Sequence, residues 1–416
     1  MFSDLASVSE AQVCAESMSK RIAPTGAKGN WRRIDLREAD SRDAARVQLE
    51  TAASGLRFGA MAYDIDWKAG PQADWSSLTV LERGQSAISL LVQQDRPLDL
   101  HMGERCWLSL GLARHTTVGE PMLAGAGDGS GSVSEFLYAL AAELPRGDAV
   151  FFEGLPIDGF SYQAIQSDRR WRRKYLALQL GDPFDHLFAE LPESFDAYLK
   201  TLSTRSRQSV LYSERKLAKD MEQRVELRCY QTAADIESFL SLGSAISRKT
   251  YQWNLLGLGL RADEDMRSTL ALAAERGWFR SYLLFCRDEP VAFMLGYQRD
   301  ACYYYTDVGY DPSFSEWSVG SVLQIKVMRH LYEDGARERP TAFDFSTGYG
   351  AHKARFGNVS RREVNLLLLP NTVRGKYLWL MFRLNEKIVA LLTEIIDRFG
   401  LKAWLKKMLR TRATTT

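Results

Sequence analysis

The residues best suited to chemistry gather in one stretch, 301–357, where two glycine turns are flanked by hydroxyls, cations and aromatic rings. The first turn, 315–321, reads SEWSVGS and leads into a strongly periodic helix over 319–333. A helix start offers N–H groups without intrahelical partners and a partial positive charge, which suits a phosphate. Gly320 permits close backbone approach there, and Ser318 and Ser321 add hydroxyl donors. Neither GxxxxGK(S/T) nor GxGxxG is present, so the turn is not that of a P-loop nucleotidase or a dinucleotide fold. The second turn, 344–357, reads DFSTGYGAHKARFG and sets Lys353 and Arg355 beside Phe356. Lys353 could neutralise a ligand phosphate or carboxylate, or be a plain surface lysine; Phe356 could meet a ligand or fill the core. Strand, phosphate-compatible turn, helix, strand is an order that builds a site for a phosphorylated cofactor.

These turns need a scaffold, and periodicity supplies one. A tyrosine-rich strand over 301–310 precedes the helix, and strands over 342–345 and 363–369 follow it. Upstream come a strand at 225–230, helices at 234–248 and 264–276, and strands at 281–286 and 291–297. The second half therefore reads β-α-α-β-β-β-α-β-α-β. The first half has a strand at 31–36 and a helix at 41–53. From Leu78 onward, short β-rich runs between turn residues form an antiparallel meander. A Gly-rich loop at 125–131, a helix at 133–144 capped by Ser132 or Ser134, and strands at 149–153 and 174–180 complete it, giving β-α-β-β-β-α-β-β. Between the halves a basic helix, 194–223, is either a solvated bridge or a cationic arm for a phosphate. The two halves share element order without a sequence repeat. The predicted division is a lead-in (1–29), a first lobe (30–185), a second lobe (186–370) and a tail (371–416).

Composition narrows the function classes. A chain of 416 residues has room for two or three domains, and its formal net charge of +2 argues against a dedicated nucleic-acid binder. Five cysteines, odd in number and without a CxxC pair, argue against a disulfide framework or a zinc site. The five histidines form no HxxxH pair, so no metal is expected. The first residues lack a basic-then-apolar leader pattern, and no 18-residue run is free of charge, so a cytoplasmic setting is expected. The tail differs from the rest. It carries ten Lys and Arg against three acids, with apolar residues at helical spacing (Leu380, Leu384, Ile388, Leu391, Leu392, Ile395). Such a helix either packs on its own domain or lies in an anionic membrane interface, here the inner face.

Four segments carry a resemblance. Residues 203–217 (STRSRQSVLYSERKL) form a basic helix, 247–253 (SRKTYQW) lie close to an S-W-K element, and 290–297 (PVAFMLGY) lead through Tyr310 to Val319-Gly320-Ser321. The fourth, 344–357, is close to D-F-G-x-G-x-x-x-Y-K-x-R-F-G. Together, over about 195–369, they resemble the acetyltransferase domain of the GNAT superfamily in its FemAB-like, CelD-type branch, which is associated with cellulose and exopolysaccharide biosynthesis. Departures are Tyr251 for Trp, Val319 for Pro, Ser346 for Gly and His352 for Tyr, and the fuller Q/R-x-x-G-x-G/A pyrophosphate loop is absent.

The resemblance implies an α+β fold of tandem GNAT-like lobes, the first degenerate, each a mixed, mostly antiparallel sheet flanked by helices, plus the amphipathic helical tail. It implies acyl transfer from acetyl-CoA or another acyl-CoA, as co-substrate, to an amine of a small molecule or glycan precursor. Expected roles follow. Asp307 is the candidate base, with Tyr305 or Tyr349 donating to the leaving thiolate. Tyr303, Val308, Val319, Gly320 and Ser321 hold the donor, and Trp253, Lys353, Arg355 and Phe356 face the acceptor. Two other readings stay open: an aminoacyl-tRNA donor, as in the FemAB peptidyl transferases, and a non-catalytic scaffold at a membrane surface.

Overall fold

The computed structural model describes residues 31–398, apart from 54–55, 57–59, 85–86, 103–104, 119–121, 124–128, 251–252, 254–258, 347–349 and 351. The lead-in expected at 1–29 lies outside the described residues. In the first lobe, β1 (Arg32–Ile34), α1 (Ala39–Ala53), α2 (Ile65–Ala69), β2 (Leu78–Glu82), β3 (Ala87–Asp95), β4 (Leu98–Met102), β5 (Arg105–Leu110) and β6 (Ala113–Val118) come first. Then follow β7 (Met122–Leu123), α3 (Gly129–Glu143), β8 (Ala149–Pro156), α4 (Phe160–Ser167) and β9 (Tyr175–Glu190). The second lobe runs α5 (Phe195–Thr201), α6 (Thr204–Asp220), β10 (Val225–Tyr230), α7 (Ile236–Ser247), α8 (Glu264–Glu275), β11 (Ser281–Cys286), β12 (Glu289–Arg299) and β13 (Cys302–Tyr310). It ends with α9 (Val319–Glu333), β14 (Ala342–Asp344), α10 (Lys353–Phe356) and β15 (Val359–Pro370), and α11 (Val373–Arg398) closes the described chain.

Both lobes share one 13-stranded sheet, in the order β1-β2-β3-β6-β8-β15-β9-β14-β13-β12-β11-β10 with β7 beside β3, while β4 and β5 form a separate hairpin. Pairing is antiparallel except at β6–β8 and β13–β14. The expected boundary at 185/186 falls inside β9, which pairs with β15 along most of its length and with β14 at its end. Strand β15, counted with the second lobe by sequence, inserts between β8 and β9 and completes the first lobe's sheet. The lobes are thus joined by main-chain ladders rather than by a linker.

In the second lobe each face of the sheet carries its own helix layer. Val210 and Leu217 of α6 and Val319, Val322, Leu323 and Val327 of α9 pack on one face. Phe239 and Leu240 of α7 and Leu270 and Ala273 of α8 pack on the other. Each such buried aliphatic side chain contributes about 1.5–3 kcal/mol.

The single basic helix expected over 194–223 is two helices. Ser194 accepts from the Ala197 N–H at 3.1 Å to start α5, and Ser203 accepts from the Ser206 N–H at 3.1 Å to start α6. A serine hydroxyl that bonds the backbone locally competes with helix continuation. Strand β9 is longer than expected because it runs through Gly181-Asp182-Pro183. Gly181 sits at φ 78°, and the register with β15 shifts between Glu363 and Asn365 to absorb the break. Helix α4 had no strong sequence signal, since Gly159 precedes it without a side-chain cap.

Candidate functional site

Strand β13 is paired with β12 along its length but with β14 only from Cys302 to Tyr304. Beyond Asp344 the following chain leaves the ladder, so among the described residues β13 has no ladder partner on that side from Tyr305 to Tyr310. Unpaired strand groups inside a sheet are costly to leave unmet, and an extended ligand with amides can take the missing strand's place. The register of β13 also shifts between Leu295 and Gly296: Leu295 opposes Asp307, and Gly296 opposes Tyr305. Thr306 is the extra residue of this bulge. Such an insertion interrupts the two-residue alternation, so the residues on either side of it take opposite faces. Tyr305 packs with the α6/α9 layer, whereas Asp307, opposite Leu295, faces the α7/α8 layer.

The open edge leads to the start of α9. Ser318 precedes the helix in the left-handed region (φ 54°, ψ 44°) and makes no side-chain cap. The N–H groups of Ser321 and Val322 turn back to the Ser318 carbonyl at 2.8 and 3.1 Å, leaving Val319 and Gly320 to present theirs outward from the first turn. A Cβ on Gly320 would lie 3.3 Å from the Tyr310 ring, so the approach is narrow. Arg355 of α10 donates from Nη1 to Ser321 Oγ at 3.1 Å, which places a guanidinium beside this positive helix end. The short α10 thus brings a cation to the spot that the helix already favours for an anion.

On the α9 side of the opening, the Tyr305 hydroxyl meets His352 Nε2 at 3.1 Å. Burial raises the Tyr305 pKa above the ordinary phenol range, so this hydroxyl keeps its proton and donates it to the ring nitrogen. Burial, then Lys353 and Arg355, lower the His352 pKa, which keeps the imidazole neutral at pH 7. Lys353 donates from Nζ to the Ser346 carbonyl at 3.2 Å and stands 5.8 Å from the Tyr305 ring centre. Burial lowers the Lys353 pKa, and Asp344 partly offsets this. On the opposite face Asp307 Oδ1 accepts the Val308 N–H at 2.8 Å. Burial outweighs that bond and pushes the Asp307 carboxyl up to about 6. A carboxylate that titrates near neutral pH is suited to proton transfer.

A buried charge network supports the vertex where β14 leaves β13. His186 on β9 bonds Asp344 Oδ1 through Nε2 at 2.8 Å and Glu363 through Nδ1 at 3.1 Å. Burial opposes the charge on His186, but the two carboxylates together raise its pKa to about 9. The ring stacks on Phe188 with centroids 4.1 Å apart, and Arg361 reaches Glu363 Oε1 at 2.6 Å. Asp344 also accepts the Ser346 N–H at 2.7 Å, so it orders its own turn, as its place in the sequence implied. Ser346 stands at φ 60°, a conformation favouring glycine, where the resembling motif has Gly.

The expected site residues divide accordingly. Tyr305, Asp307 and Val308 line the open edge, Lys353 stands beside the Tyr305 ring, and Gly320, Ser321 and Arg355 surround the far end. The Val308 N–H, expected to serve the donor, is held by Asp307 instead. Tyr303 is a correction: it is fully buried, its backbone is paired on both sides, and its hydroxyl crosses Gly296 to donate to the Arg280 carbonyl at 3.0 Å. Phe356 is likewise core, at 1% exposure, and the Val319 side chain is buried, so only its N–H faces the site. Arg355, expected beside the acceptor, lies against the α9 start through Ser321. Trp253 donates its N–H to Thr250 Oγ1 at 3.3 Å, and the Thr250 methyl would lie 3.1 Å from a Cβ on Gly309, two residues past Asp307. Tyr349 lies outside the described residues. Sequence reasoning missed the network of His186 and Glu363, which are 177 positions apart and joined only by the sheet. His352 had been noted only as a departure from the motif.

Among the described residues, one group with metal-ligating side chains converges. Asp99, His101 and Cys106 on the β4–β5 hairpin have ligand atoms within 4.8 Å of one another, all exposed. Histidine and cysteine are cross-strand partners there, an arrangement that linear spacing does not reveal. The hairpin is outside the opening and takes no part in it.

Residues 204–354 match a family model described as an acetyltransferase (GNAT) domain. The FemX crystal structure is similar at TM-score 0.51 and 11% identity, over 81% of this chain and 96% of that one. L-PGS from Bacillus licheniformis is similar at TM-score 0.43 and 14% identity, over 82% and 96%. A GCN5-related N-acetyltransferase from Anabaena variabilis gives 0.34 and 13%, over 81% and 72%. The last two, below a TM-score of 0.5, add no weight to the assignment. No curated protein matches. With β13 opening from β14 and α9 starting where the opening ends, the matched stretch and the FemX likeness agree on one architecture: this chain is built on the GNAT-like fold.

Proposed function

We propose that this protein is an acyltransferase that passes an acyl group from a CoA thioester to an amine. The observation that carries the reading is the one-sided opening of β13 at Tyr305–Tyr310, ending at an uncapped helix start flanked by Arg355. The residues fit a pantetheine chain with a pyrophosphate. An amide-bearing chain pairs with the free strand edge, and the Val319 and Gly320 N–H groups with Arg355 take the pyrophosphate. The bound donor supplies an activated carbonyl and a thiolate leaving group. The amine enters on the α7 side, between Asp307 and the side of Thr250 and Trp253, and Asp307 takes one proton from its ammonium. The amine nitrogen bonds the acyl carbon as the carbon–sulfur bond breaks. The second amine proton balances the departing sulfur, through the Tyr305 hydroxyl and His352 on the other face. Backbone N–H groups of the open edge stabilise the carbonyl oxygen.

The finer assignments, an acetyl group and an envelope or exopolysaccharide precursor as acceptor, rest on the resemblance of the four sequence segments. Isothermal titration with acetyl-CoA and longer acyl-CoAs tests the donor, on the intact chain and on Gly320→Trp and Arg355→Ala. Binding that Gly320→Trp abolishes supports the reading; no binding to any acyl-CoA, or unchanged binding by both variants, overturns it. A second reading takes aminoacyl-tRNA as donor. It is favoured by the outer face of α6, where Arg205, Arg215 and Lys219 are exposed while Glu214 is held by Arg329 at 2.6 Å. Co-purified tRNA that is lost steeply as salt rises would select it.

A further inference from the structure

Helix α11 packs one face on the first lobe and leaves the other bare. Leu378, Trp379 and Phe382 join Leu98, Phe151, Leu178, Leu367 and Leu369 in one cluster. On the far side Tyr377, Leu380, Leu384, Ile388, Leu391 and Ile395 are each at least 40% exposed. At helical spacing these six form one stripe about 27 Å long. The flanks of the stripe differ in kind. Along one flank Lys376, Lys387 and Arg398 recur every eleven residues, about three turns apart, all exposed, with one exposed acid, Glu394, on the same flank. Arg383 stands between them, bonded to Glu386 at 2.9 Å. On the other flank lies the β4–β5 hairpin. Its Trp107 is 49% exposed and donates from Nε1 to Asn385 Oδ1 at 2.8 Å, while Asn385 donates to the His101 carbonyl at 3.1 Å. Met102 on the same hairpin is 46% exposed. Two elements fastened by a buried asparagine therefore present one apolar strip with a cationic border.

We infer that this strip is a docking surface for an anionic lipid bilayer, on which α11 lies parallel to the membrane plane. Charge chooses the occupant. A second copy of the chain would bring the same row of cations against itself, whereas anionic headgroups neutralise it. The sequence that follows adds to this, since 399–416 contains five Lys and Arg, no acid, and Trp404 among leucines. Trp107, with its ring exposed and its N–H satisfied, has the amphipathic form of a side chain at a lipid–water boundary. Among the described residues no helix is long and apolar enough to cross a membrane, so the helix lies on the surface rather than through it. The inference is independent of the acyl-transfer reading, because none of these residues lines the β13 opening.

The test is co-sedimentation of the intact chain with phosphatidylcholine vesicles, with and without phosphatidylglycerol, at low and high salt. Wild type should sediment with the anionic vesicles and be released as salt rises. The double variant Leu384→Glu/Ile388→Glu should lose affinity on the order of 100-fold, and Lys376→Glu/Lys387→Glu should lose binding to anionic vesicles while remaining monomeric. Acyl-CoA binding and the far-ultraviolet circular dichroism spectrum are read on each variant to show that the fold is intact. Equal binding to neutral vesicles overturns the electrostatic selection. Absence of vesicle binding overturns the inference outright, as does a wild-type dimer that Leu384→Glu/Ile388→Glu splits into monomers.

Discussion

Replacing Asp307 with Asn tests the proposed base through stability and rate together. Burial raises this carboxyl from an ordinary 3.8 to about 6. The folded state therefore keeps a proton between pH 4 and 6 that the unfolded chain has released. By linkage, stability falls as pH rises through that window, and the full loss is present above pH 6. A shift of about two units corresponds to about 3 kcal/mol. Asparagine carries no charge and retains an oxygen to accept the Val308 N–H, so Asp307→Asn should be more stable than wild type by up to about 3 kcal/mol at pH 7. The advantage should shrink towards zero near pH 4. Urea titrations of both proteins at the two pH values measure it. The same variant should lose about 10²- to 10⁴-fold in kcat/KM, the usual contribution of a general base. Wild-type kcat/KM should fall about tenfold per pH unit below pH 6, whereas the variant's profile should be flat there. A variant no more stable at pH 7 than at pH 4, relative to wild type, would show that the carboxylate carries no burial penalty. An unchanged rate would remove Asp307 from the chemistry.

Three further outcomes follow from the same geometry. Arg355→Ala should weaken acyl-CoA binding by roughly 10- to 100-fold, the value of a hydrogen bond to a charged group, with the larger loss at low salt; isothermal titration at two ionic strengths reads it. The raised pKa of His186 means that its stabilising charge is fully present below pH 6.5 and lost as pH rises through about 9, so denaturation midpoints should decline across that window in wild type. His186→Ala should be destabilised by about 3–5 kcal/mol at neutral pH, because it leaves two buried carboxylates facing each other, and a midpoint unchanged by that substitution would dismiss the network. Ser346→Gly should raise stability by about 1 kcal/mol by relieving a left-handed serine, which thermal denaturation detects.

Much of the second lobe was legible because its signals are local. Strands 225–230 and 281–286 and the helix over 319–333 carry their periodicity within a few residues, and their observed bounds are Val225–Tyr230, Ser281–Cys286 and Val319–Glu333. The sharing of one sheet was not legible, because β15 pairs with β8 and β9 across about 170 to 220 positions and nothing in its composition names those partners. The site divides along the same line. Gly320, Lys353 and Arg355 stood out because turns and cations advertise themselves, whereas Tyr303 was misread because a tyrosine facing the core and one facing a cleft look alike in sequence. The tail held both of its readings at once: Leu378, Trp379 and Phe382 belong to the core, and the leucines on the opposite stripe do not.

The bulge at Thr306 turns these separate features into one site. If Thr306 paired as an ordinary ladder residue instead of bulging, Tyr305 and Asp307 would share a face by the two-residue period of a strand, and an acid and a base would stand side by side in the α9 layer. With the bulge, Asp307 faces the layer of α7, while Tyr305 stays with His352. Proton removal from the amine and proton delivery to the leaving sulfur then occur on opposite sides of one strand, with the reacting carbonyl at its open edge between them. Deleting Thr306 should restore the uninterrupted ladder with β12 and set residue 307 directly after Tyr305, so that strand alternation keeps it on the α7 face. That variant should keep acyl-CoA binding through Arg355 and the α9 start, because both lie beyond the bulge, and should retain turnover, in contrast to Asp307→Asn. If the deletion variant binds donor yet loses turnover as completely as Asp307→Asn, the division of base and acid between two faces does not account for the chemistry, and the assignment of Asp307 loses that support.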